Sequence, residues 1–365
     1  MYSCQHHSSI YEIPVEEWRK LEDPHSPFQD YEFHSSLEDS GVIGGKTGWK
    51  PIYLTIRTTE VVAAAVVYVK FHSYGEYIFD WSWAEAAEQA GLNYYPKLLM
   101  AIPFTPASAR KLLYLEEKWR TVLVDELMKL WRAIGVSSFH SLFLSQDEVK
   151  AFQGDLLERH SFQYHFINLG YRDFSDFLGK LKTKKAKTLK KERAALSDMR
   201  IEQLTGESLS GKDGADFYPL YCNTIEDKNS IGYLNADFFK LVIERMKDRV
   251  LLVRTDIAEA LFFFKGEKLY GRYWGCREER EFLHFELCYY QGIDFTLKNR
   301  LKVFEAGAQG EHKIARGFQP TVILSAHGIT HGGLHQAVGK FLIQEKQMVA
   351  RTCEVLSESL PFAKE

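Results

Sequence analysis

The chain has 365 residues, which exceeds the size at which single hydrophobic cores stop growing, so two domains or one double domain are expected. Its composition, with 45% hydrophobic, 26% charged and 14% aromatic residues, is that of a soluble globular protein. The net charge of −3 excludes a protein that is basic throughout, so any contact with nucleic acid or phosphate must come from a local basic patch.

Nothing in the sequence predicts a membrane span or a secretory signal. The longest apolar run, VVAAAVVYV at 61–69, is too short to cross a bilayer and is typical of a buried strand. The stretch MYSCQHHSSIYEIP has no basic segment followed by an apolar one. The five cysteines are scattered and outside any CxxC pair, which favours reduced thiols over a disulfide framework. We therefore expect a cytoplasmic protein.

The first half alternates short helices and strands. Helix boundaries follow from a proline in the first turn and a glycine after the last turn, as in PVEEWRKL and YEFHSSLEDSG. Helices are predicted over 14–21, 31–41, 84–91, 115–135 and around 147–159, and strands over 49–57, 61–71, 76–83, 95–104, 137–145 and 162–170.

The second half begins with a long helix over 173–199 and then mixes helices and strands again. Further helices are predicted over 212–226, 234–246 and 281–300, and strands over 249–255, 258–266, 268–276 and 302–310.

Two stretches, AAAVVYVKFHSYGEYIFDW and AEALFFFKGEKLYGRYW, share one plan. Each has a strand that ends at a lysine, then Tyr-Gly, then a strand that ends at a tryptophan. The matching points are Lys70 with Lys265, Tyr74 and Gly75 with Tyr270 and Gly271, and Trp81 with Trp274. The spacings differ, so the match is weak as a sequence repeat but indicates two copies of one mixed α/β unit.

Five longer motifs carry a resemblance to a known family. They are FHSYGEYIFDWSWA, YYPKLLMAIPFTP, LYGRYWGC, FLHFELCYY and EAGAQGEHKIARGF. On these motifs the chain resembles the FemAB-like family of predicted N-acyltransferases, in order and over most of its length. The resemblance implies tandem GNAT-type domains with an α/β fold, whose mixed sheets splay apart to admit an acyl group.

The same resemblance implies the domain division and the reaction. We expect a first GNAT-like domain at 1–160 and a second at 161–365, which contains the basic helix 174–199. The expected reaction is transfer of an acyl or aminoacyl group from acyl-CoA or aminoacyl-tRNA to an amine acceptor, with no tightly bound cofactor. The better-known Fem ligases of this superfamily transfer amino acids from aminoacyl-tRNA onto cell-wall precursors.

One motif departs from the acetyl-CoA-binding members. The turn that cradles the pyrophosphate, Q/R-x-x-G-x-G/A, is absent, and GCREEREF stands in its place. This difference argues against acetyl-CoA and leaves aminoacyl-tRNA or another acyl carrier open as the donor.

The glycine-punctuated turn EAGAQGEHKIARGF is the predicted catalytic segment. Acyl transfer to an amine needs a base for the ammonium proton, donors for the oxyanion and groups that position a charged donor. The candidate acid and base residues are Glu305, Glu311 and His312, and the candidate binding residues in the turn are Gln309, Lys313 and Arg316. The alternative is a cluster of internal salt bridges that fixes a loop.

Further candidate binding residues lie outside this turn. They are Asp80, Lys97, Arg272, His284 and Glu286. Glu286 falls near the start of a predicted helix, so it could instead simply cap that helix. For Asp80 and Lys97 the alternative is a buried ion pair between neighbouring strands.

The stretch KLKTKKAKTLKKER at 180–193 holds eight lysines or arginines against one glutamate. It predicts a phosphate-binding arm for tRNA or another anionic donor, with Lys184, Lys187 and Lys191 as candidate contacts. The alternative is a solvated, highly charged helix.

Three histidines, His327, His331 and His335, are spaced four apart, but the glycines among them argue against the regular helix that would align them for a metal. No metal site is therefore predicted. A non-catalytic module that recognises a cell-wall precursor or nucleic acid remains the alternative function, and a histidine-dependent metalloenzyme is the third.

Overall fold

The computed structural model describes residues 1–307 and 310–363, and it divides the chain into two units, each with its own hydrophobic core. The first unit contains Met1–Asp23, Phe28–Ser161 and Val322–Arg351. The second contains Pro24–Pro27, Phe162–Thr321 and Thr352–Glu365. The predicted boundary between residues 160 and 161 stays a prediction.

The strands are β1 (Ser3–His7), β2 (Trp49–Arg57), β3 (Val61–Lys70), β4 (Lys97–Met100), β5 (Leu113–Tyr114), β6 (Ser138–Leu144), β7 (Leu157–Ile167), β8 (Glu202–Leu204), β9 (Val250–Arg254), β10 (Ala258–Lys265), β11 (Lys268–Cys276), β12 (Val303–Glu305) and β13 (Gln319–Ile329). The α-helices are α1 (Val15–Arg19), α2 (Tyr31–Asp39), α3 (Trp81–Gln89), α4 (Glu117–Ile134), α5 (Gln146–Ala151), α6 (Phe174–Gly179), α7 (Thr183–Ala194), α8 (Gly211–Asp227), α9 (Ala236–Arg245), α10 (Leu283–Phe285), α11 (Gln291–Lys298) and α12 (Gly332–Glu358). Between α10 and α11 the helix continues as a π turn, Glu286–Tyr290, and a 3₁₀ helix covers Glu311–Arg316.

The sheet of the first unit has the strand order β1-β2-β3-β4-β6-β13, with β5 beside β3. Its neighbouring strands are antiparallel except for the parallel pair β4–β6. Residues of β3 are buried on both sides of the sheet, which explains its continuous apolar run. One face packs on α4, where Leu123 and Leu127 join the same core as Ile56 and Leu98.

The sheet of the second unit has the order β7-β12-β11-β10-β9-β8, and its neighbours are antiparallel except for the parallel pair β11–β12. Its core gathers Phe166, Phe262 and Phe304 from the strands, Leu189 from α7 and Ile293 from α11.

The two sheets repeat one pattern of strand pairs. Counted from β1 and from β8, each has three antiparallel pairs, then a parallel pair, then an antiparallel pair. The register matches as well, because Lys97 begins β4 opposite Lys70, and Lys268 begins β11 opposite Lys265. The predicted match of Lys70 with Lys265 therefore has a structural basis.

The other two matching points of the predicted repeat are wrong. Tyr74 and Gly75 lie in a turn, whereas Tyr270 and Gly271 lie within β11. Trp81 is the first residue of α3, whereas Trp274 also lies within β11. The strand predicted over 76–83 does not form, since Tyr77 has a positive φ angle of 66° and α3 already begins at Trp81.

The long basic helix is also interrupted. Lys182 is extended, with ψ of 134°, and its N–H donates to the carbonyl oxygen of Pro361 at 2.8 Å. The predicted helix is therefore split into α6 and α7. Strand β13 and helix α12 lie beyond the last predicted element.

The expected fold class, an α/β fold with mixed sheets, is confirmed. Within the described part of the chain, the helices all fall short of the length and apolar character that crossing a membrane requires.

Candidate functional site

The site in the second unit is centred on Glu305, the last residue of β12. Strands β11 and β12 pair over three residues only, and β11 then continues to Cys276 beside β10. The carboxylate therefore lies where two parallel strands cease to pair, the end of a sheet at which α/β proteins bind ligands. Glu305 is 3% exposed, and its oxygens lie 3.4 Å from Nζ of Lys268 and 3.9 Å from Nε2 of His165.

His165 faces Glu305 as its partner in the neighbouring strand. Burial lowers the pKa of His165, although the Glu305 carboxylate acts in the opposite direction. The imidazole is therefore neutral at pH 7. His165 is not recognisable as a site residue from the sequence, because only the strand register reveals that it lies opposite Glu305.

Lys313 is a buried cation in the 3₁₀ helix that follows this strand. It is 2% exposed, and its Nζ donates to the carbonyl oxygen of Gly307 at 3.2 Å. Burial lowers the pKa of Lys313 to about 8, so a change of its charge is accessible near neutral pH. The turn depends on glycine at Gly307 and Gly310, whose φ angles are 82° and 116°.

His312 is exposed but is held by an aromatic cluster on α10 and the π turn. Its Nε2 lies 2.9 Å from the hydroxyl of Tyr289, and its ring centroid is 5.5 Å from that of Phe285 and 6.3 Å from that of His284. Burial lowers the pKa of His284 to about 3, so this imidazole is neutral. Single π turns inside helices are frequent at functional sites.

Arg316 closes the cluster on its buried side. Its guanidinium lies 3.5 Å from the ring centroid of Phe285 and donates to the His312 carbonyl oxygen at 2.8 Å and to Glu192 at 2.9 Å. The structure thus brings the candidate residues His284, His312 and Arg316 together. The Glu192 contact was not predicted.

Glu286 has a different environment. It is 2% exposed and accepts from Arg193 at 2.9 Å and from Gln291 at 2.8 Å. Burial raises the pKa of Glu286, and the arginine opposes this effect. The carboxylate is engaged in an ion pair with α7.

The remaining predicted residues of this unit are more peripheral. Glu311 is exposed, and the guanidinium of Arg272 lies 5.0 Å from the Tyr273 ring centroid. Gln309 lies outside the described residues. Lys184, Lys187 and Lys191 are exposed on α7.

A cavity of about 420 Å³ adjoins the cluster at Trp274, whose indole meets the His284 ring edge-on at 5.2 Å. Its rim carries four carboxylates, Asp227, Glu278, Glu279 and Glu281, against two cations, Lys228 and Arg280. This acidic rim is unfavourable for a pyrophosphate.

Asp80 and Lys97 form a buried ion pair in the first unit. Nζ of Lys97 donates to Asp80 at 2.6 Å, to Glu76 at 2.8 Å and to the hydroxyl of Ser73 at 2.7 Å. The two carboxylates outweigh burial and raise the pKa of Lys97, while burial raises the pKa of Glu76 to about 7. Because they turn inward to bind Lys97, residues 73–80 leave the extended path that was predicted for 76–83.

Two buried histidines extend this ionic cluster. Nε2 of His140 lies 3.6 Å from Asp80, and its Nδ1 lies 2.7 Å from Nδ1 of His327. His327 belongs to β13 and His335 to α12, so the three spaced histidines do not line one helix. Burial lowers the pKa of His140 to about 3.

The two units place ionisable side chains at matching positions. His140 pairs with His327 across β6 and β13, and Glu305 pairs with His165 across β12 and β7. His140 lies beside Leu99, two residues after Lys97 at the start of β4. Glu305 lies beside Tyr270, two residues after Lys268 at the start of β11. Spacing along the chain could not reveal this match, because it depends on strand register.

Comparison with known proteins adds two findings. The model of the FemAB-like family, described as peptidoglycan biosynthesis/recognition, matches residues 9–364. A search of curated proteins finds no significant match.

Among solved structures, FemX has a TM-score of 0.54 at 12% identity, over 92% of this chain and 100% of that chain. The C-terminal domain of a putative lysylphosphatidylglycerol synthetase from Agrobacterium fabrum has a TM-score of 0.51 at 11% identity, over 90% and 96%. L-PGS from Bacillus licheniformis has a TM-score of 0.50 at 9% identity, over 88% and 98%. At such identities these likenesses show a shared fold.

Proposed function

The chain belongs to the FemAB-like family, and we propose that it transfers an acyl or aminoacyl group from an activated donor to an amine, with Glu305 as the general base. Family membership makes it an acyltransferase enzyme, as the sequence predicts. The donor, the acceptor and the roles of individual residues are parts of the proposal.

The position of Glu305 is the observation that carries it. A general base must be held rigidly and must reach the attacking amine within hydrogen-bonding distance. Glu305 is buried in a sheet, at the point where β12 stops pairing with β11, and it lies between Lys268 and a neutral His165. Glu311 is exposed on the following turn, which makes it the weaker candidate.

In the proposed reaction the amine nitrogen attacks the acyl carbonyl carbon after Glu305 takes its proton. A tetrahedral oxyanion forms, and its nitrogen still carries two protons. One of them passes to the donor oxygen or sulfur as the bond from that atom to carbon breaks, which leaves the amide product and the protonated leaving group. Lys313, whose pKa burial lowers to about 8, is proposed to stabilise the oxyanion or to protonate the leaving group. Arg316 and His312 are proposed to position the donor.

Two observations favour a donor other than acetyl-CoA. Glu278, Glu279 and Glu281 precede α10, where a pyrophosphate-binding turn would have to stand. Helix α7, by contrast, exposes several lysines, which suit a phosphate backbone. We therefore propose aminoacyl-tRNA as the first donor to test. All five cysteines are unpaired, which supports the proposed cytoplasmic location.

A single-turnover screen tests the proposal. Purified protein is mixed with acyl-CoAs or with charged tRNAs and a panel of primary amines, and products are detected by mass. The expected result is an amide product that depends on the donor ester or thioester. Absence of product from every donor class, with folded protein, would contradict the proposed reaction.

A further inference from the structure

Helix α7 has two faces with different surroundings. Its outer face carries exposed lysines, which are Lys184, Lys185, Lys187, Lys190 and Lys191. Its inner face buries Leu189 and Glu192 in the second unit. A carboxylate on the buried face of so basic a helix requires a specific partner, because an unpaired buried charge is strongly unfavourable.

Glu192 finds two partners. The hydroxyl of Tyr290 donates to it, and Nη2 of Arg316 donates to the same oxygen at 2.9 Å. Arg316 in turn donates to the carbonyl oxygen of His312 at 2.8 Å. Glu192 is therefore linked to the His312 segment through one arginine.

Arg193, the next residue, binds the other end of the π turn. Its Nη2 donates to Glu286 at 2.9 Å and to Asp294 at 2.7 Å. Glu286 is the first residue of the π turn and Tyr290 is the last. Two consecutive residues of α7 thus hold both ends of the turn that carries Tyr289, the partner of His312.

We propose that Glu192 and Arg193 are positioning residues that couple the lysine face of α7 to the His312–Tyr289 pair. An anion bound to the lysines then alters the site by way of these two residues. This inference rests on the proposed function, in which the donor bears phosphate groups. It adds that binding of the donor regulates the geometry of the site.

The simpler alternative is that both residues only dock α7 on the protein. Docking alone predicts a loss of stability on mutation but no specific change at His312. The charged and titratable groups around His312 are Arg316, Lys313, His284 and Tyr289. Burial lowers the pKa of His312, and the charge of Arg316 lowers it further. Because Glu192 binds Arg316, coupling predicts that removing the Glu192 carboxylate changes this pKa.

The first measurement is the NMR titration of the His312 ring, assigned with His312→Gln. Glu192→Gln leaves Arg316 without its counter-charge, so the pKa of His312 should fall by about half a pH unit. Glu192→Asp keeps the charge and should restore most of the wild-type value. Asp198→Asn, which removes the partner of Arg280, is the matched control and should leave it unchanged. Unaltered titration in Glu192→Gln would overturn the inference.

The second measurement adds inorganic polyphosphate as the anion. In the wild-type protein it should bind and shift the His312 signal. In the double variant Glu192→Gln with Arg193→Gln, checked for folding by circular dichroism, it should still bind while at least about two-thirds of the shift disappears.

Each other outcome counts against the coupling. An equal shift in both proteins would show a direct effect of the bound charge, and binding without a shift in the wild type would show no coupling. Failure of polyphosphate to bind would show that the exposed lysines of α7 are not an anion-binding site, and the coupling would then have no ligand to start from. Because no readout uses turnover, these outcomes are separate from a failure of the proposed transfer reaction.

Discussion

His140 and Glu305 occupy the same position in the two sheets. His140 lies on β6, parallel to β4, and faces His327 on β13. Glu305 lies on β12, parallel to β11, and faces His165 on β7. The position carries a neutral imidazole near Asp80 in the first unit and a carboxylate near Lys268 in the second. One strand arrangement thus supports two different acid–base environments, which lead to separate predictions.

Changing Glu305 to glutamine should lower turnover at least about a hundred-fold, the lower end of what a positioned base contributes. Glutamine keeps the shape and removes only the charge, so the fold should survive. The measurement is the single-turnover rate with the donor and amine found by the screen. Glu311→Gln, on the exposed turn, is the control and should retain most activity. Near-full turnover of Glu305→Gln would show that the base lies elsewhere.

Replacing Lys313 by methionine should stabilise the protein in a pH-dependent way. Burial lowers the pKa of Lys313 from 10.5 to about 8, so the folded state disfavours its proton. The cost is full below pH 8 and vanishes as the pH rises towards 10.5, which gives at most about 3 kcal/mol. The melting temperature of Lys313→Met should therefore exceed that of wild type by more at pH 7 than at pH 10.5. The exposed Lys302→Met should show no such trend.

Removing Lys97 should strongly destabilise the first unit. Lys97→Met leaves Asp80 and Glu76 buried without their cation, and loss of one partner of a buried pair costs about 3–5 kcal/mol. Urea unfolding measures the change, with Lys118→Met on the surface as a control. Adding Asp80→Asn to Lys97→Met should recover part of the loss. A loss below about 1 kcal/mol would indicate that the pair is not isolated from water.

Changing Lys184, Lys187 and Lys191 to glutamate should weaken binding of tRNA and flatten its salt dependence, because fewer counterions are released. Each lost phosphate contact lowers the slope of log affinity against log salt by roughly 0.7–0.9. A control triple variant at Lys118, Lys129 and Lys150, which are exposed in the first unit, should leave both unchanged. Equal affinities and equal salt slopes in both triple variants would show that the exposed lysines of α7 do not contact the tRNA.

Local patterns were sufficient for much of the fold. The strand predicted over 49–57 matches β2 residue for residue, and the helix predicted over 115–135 is α4 with its glycine cap, Gly135, in the left-handed conformation. The strand predicted over 76–83 failed, because Glu76 and Asp80 turn inward to a lysine whose position only the tertiary fold determines.

The site was predictable in part for the same reason. His312, Lys313 and Arg316 lie within one short segment, so their proximity follows from the sequence. His165 and Glu192 are distant along the chain and reach the site through strand register and helix docking. A single sequence shows neither.

The pairing of β6 with β13 has a consequence for synthesis of the protein on the ribosome. β6 ends at Leu144, but β13, which pairs with one of its edges, does not begin until Gln319, so the first sheet lacks this strand until the chain has been synthesised past Ile329. In many proteins an N-terminal domain finishes folding before the next domain is synthesised. The first unit of this protein cannot fold completely in that order. A fragment that stops near residue 160 would expose the edge of β6 as a template for aggregation. The nascent chain therefore needs protection of that edge until β13 has been synthesised.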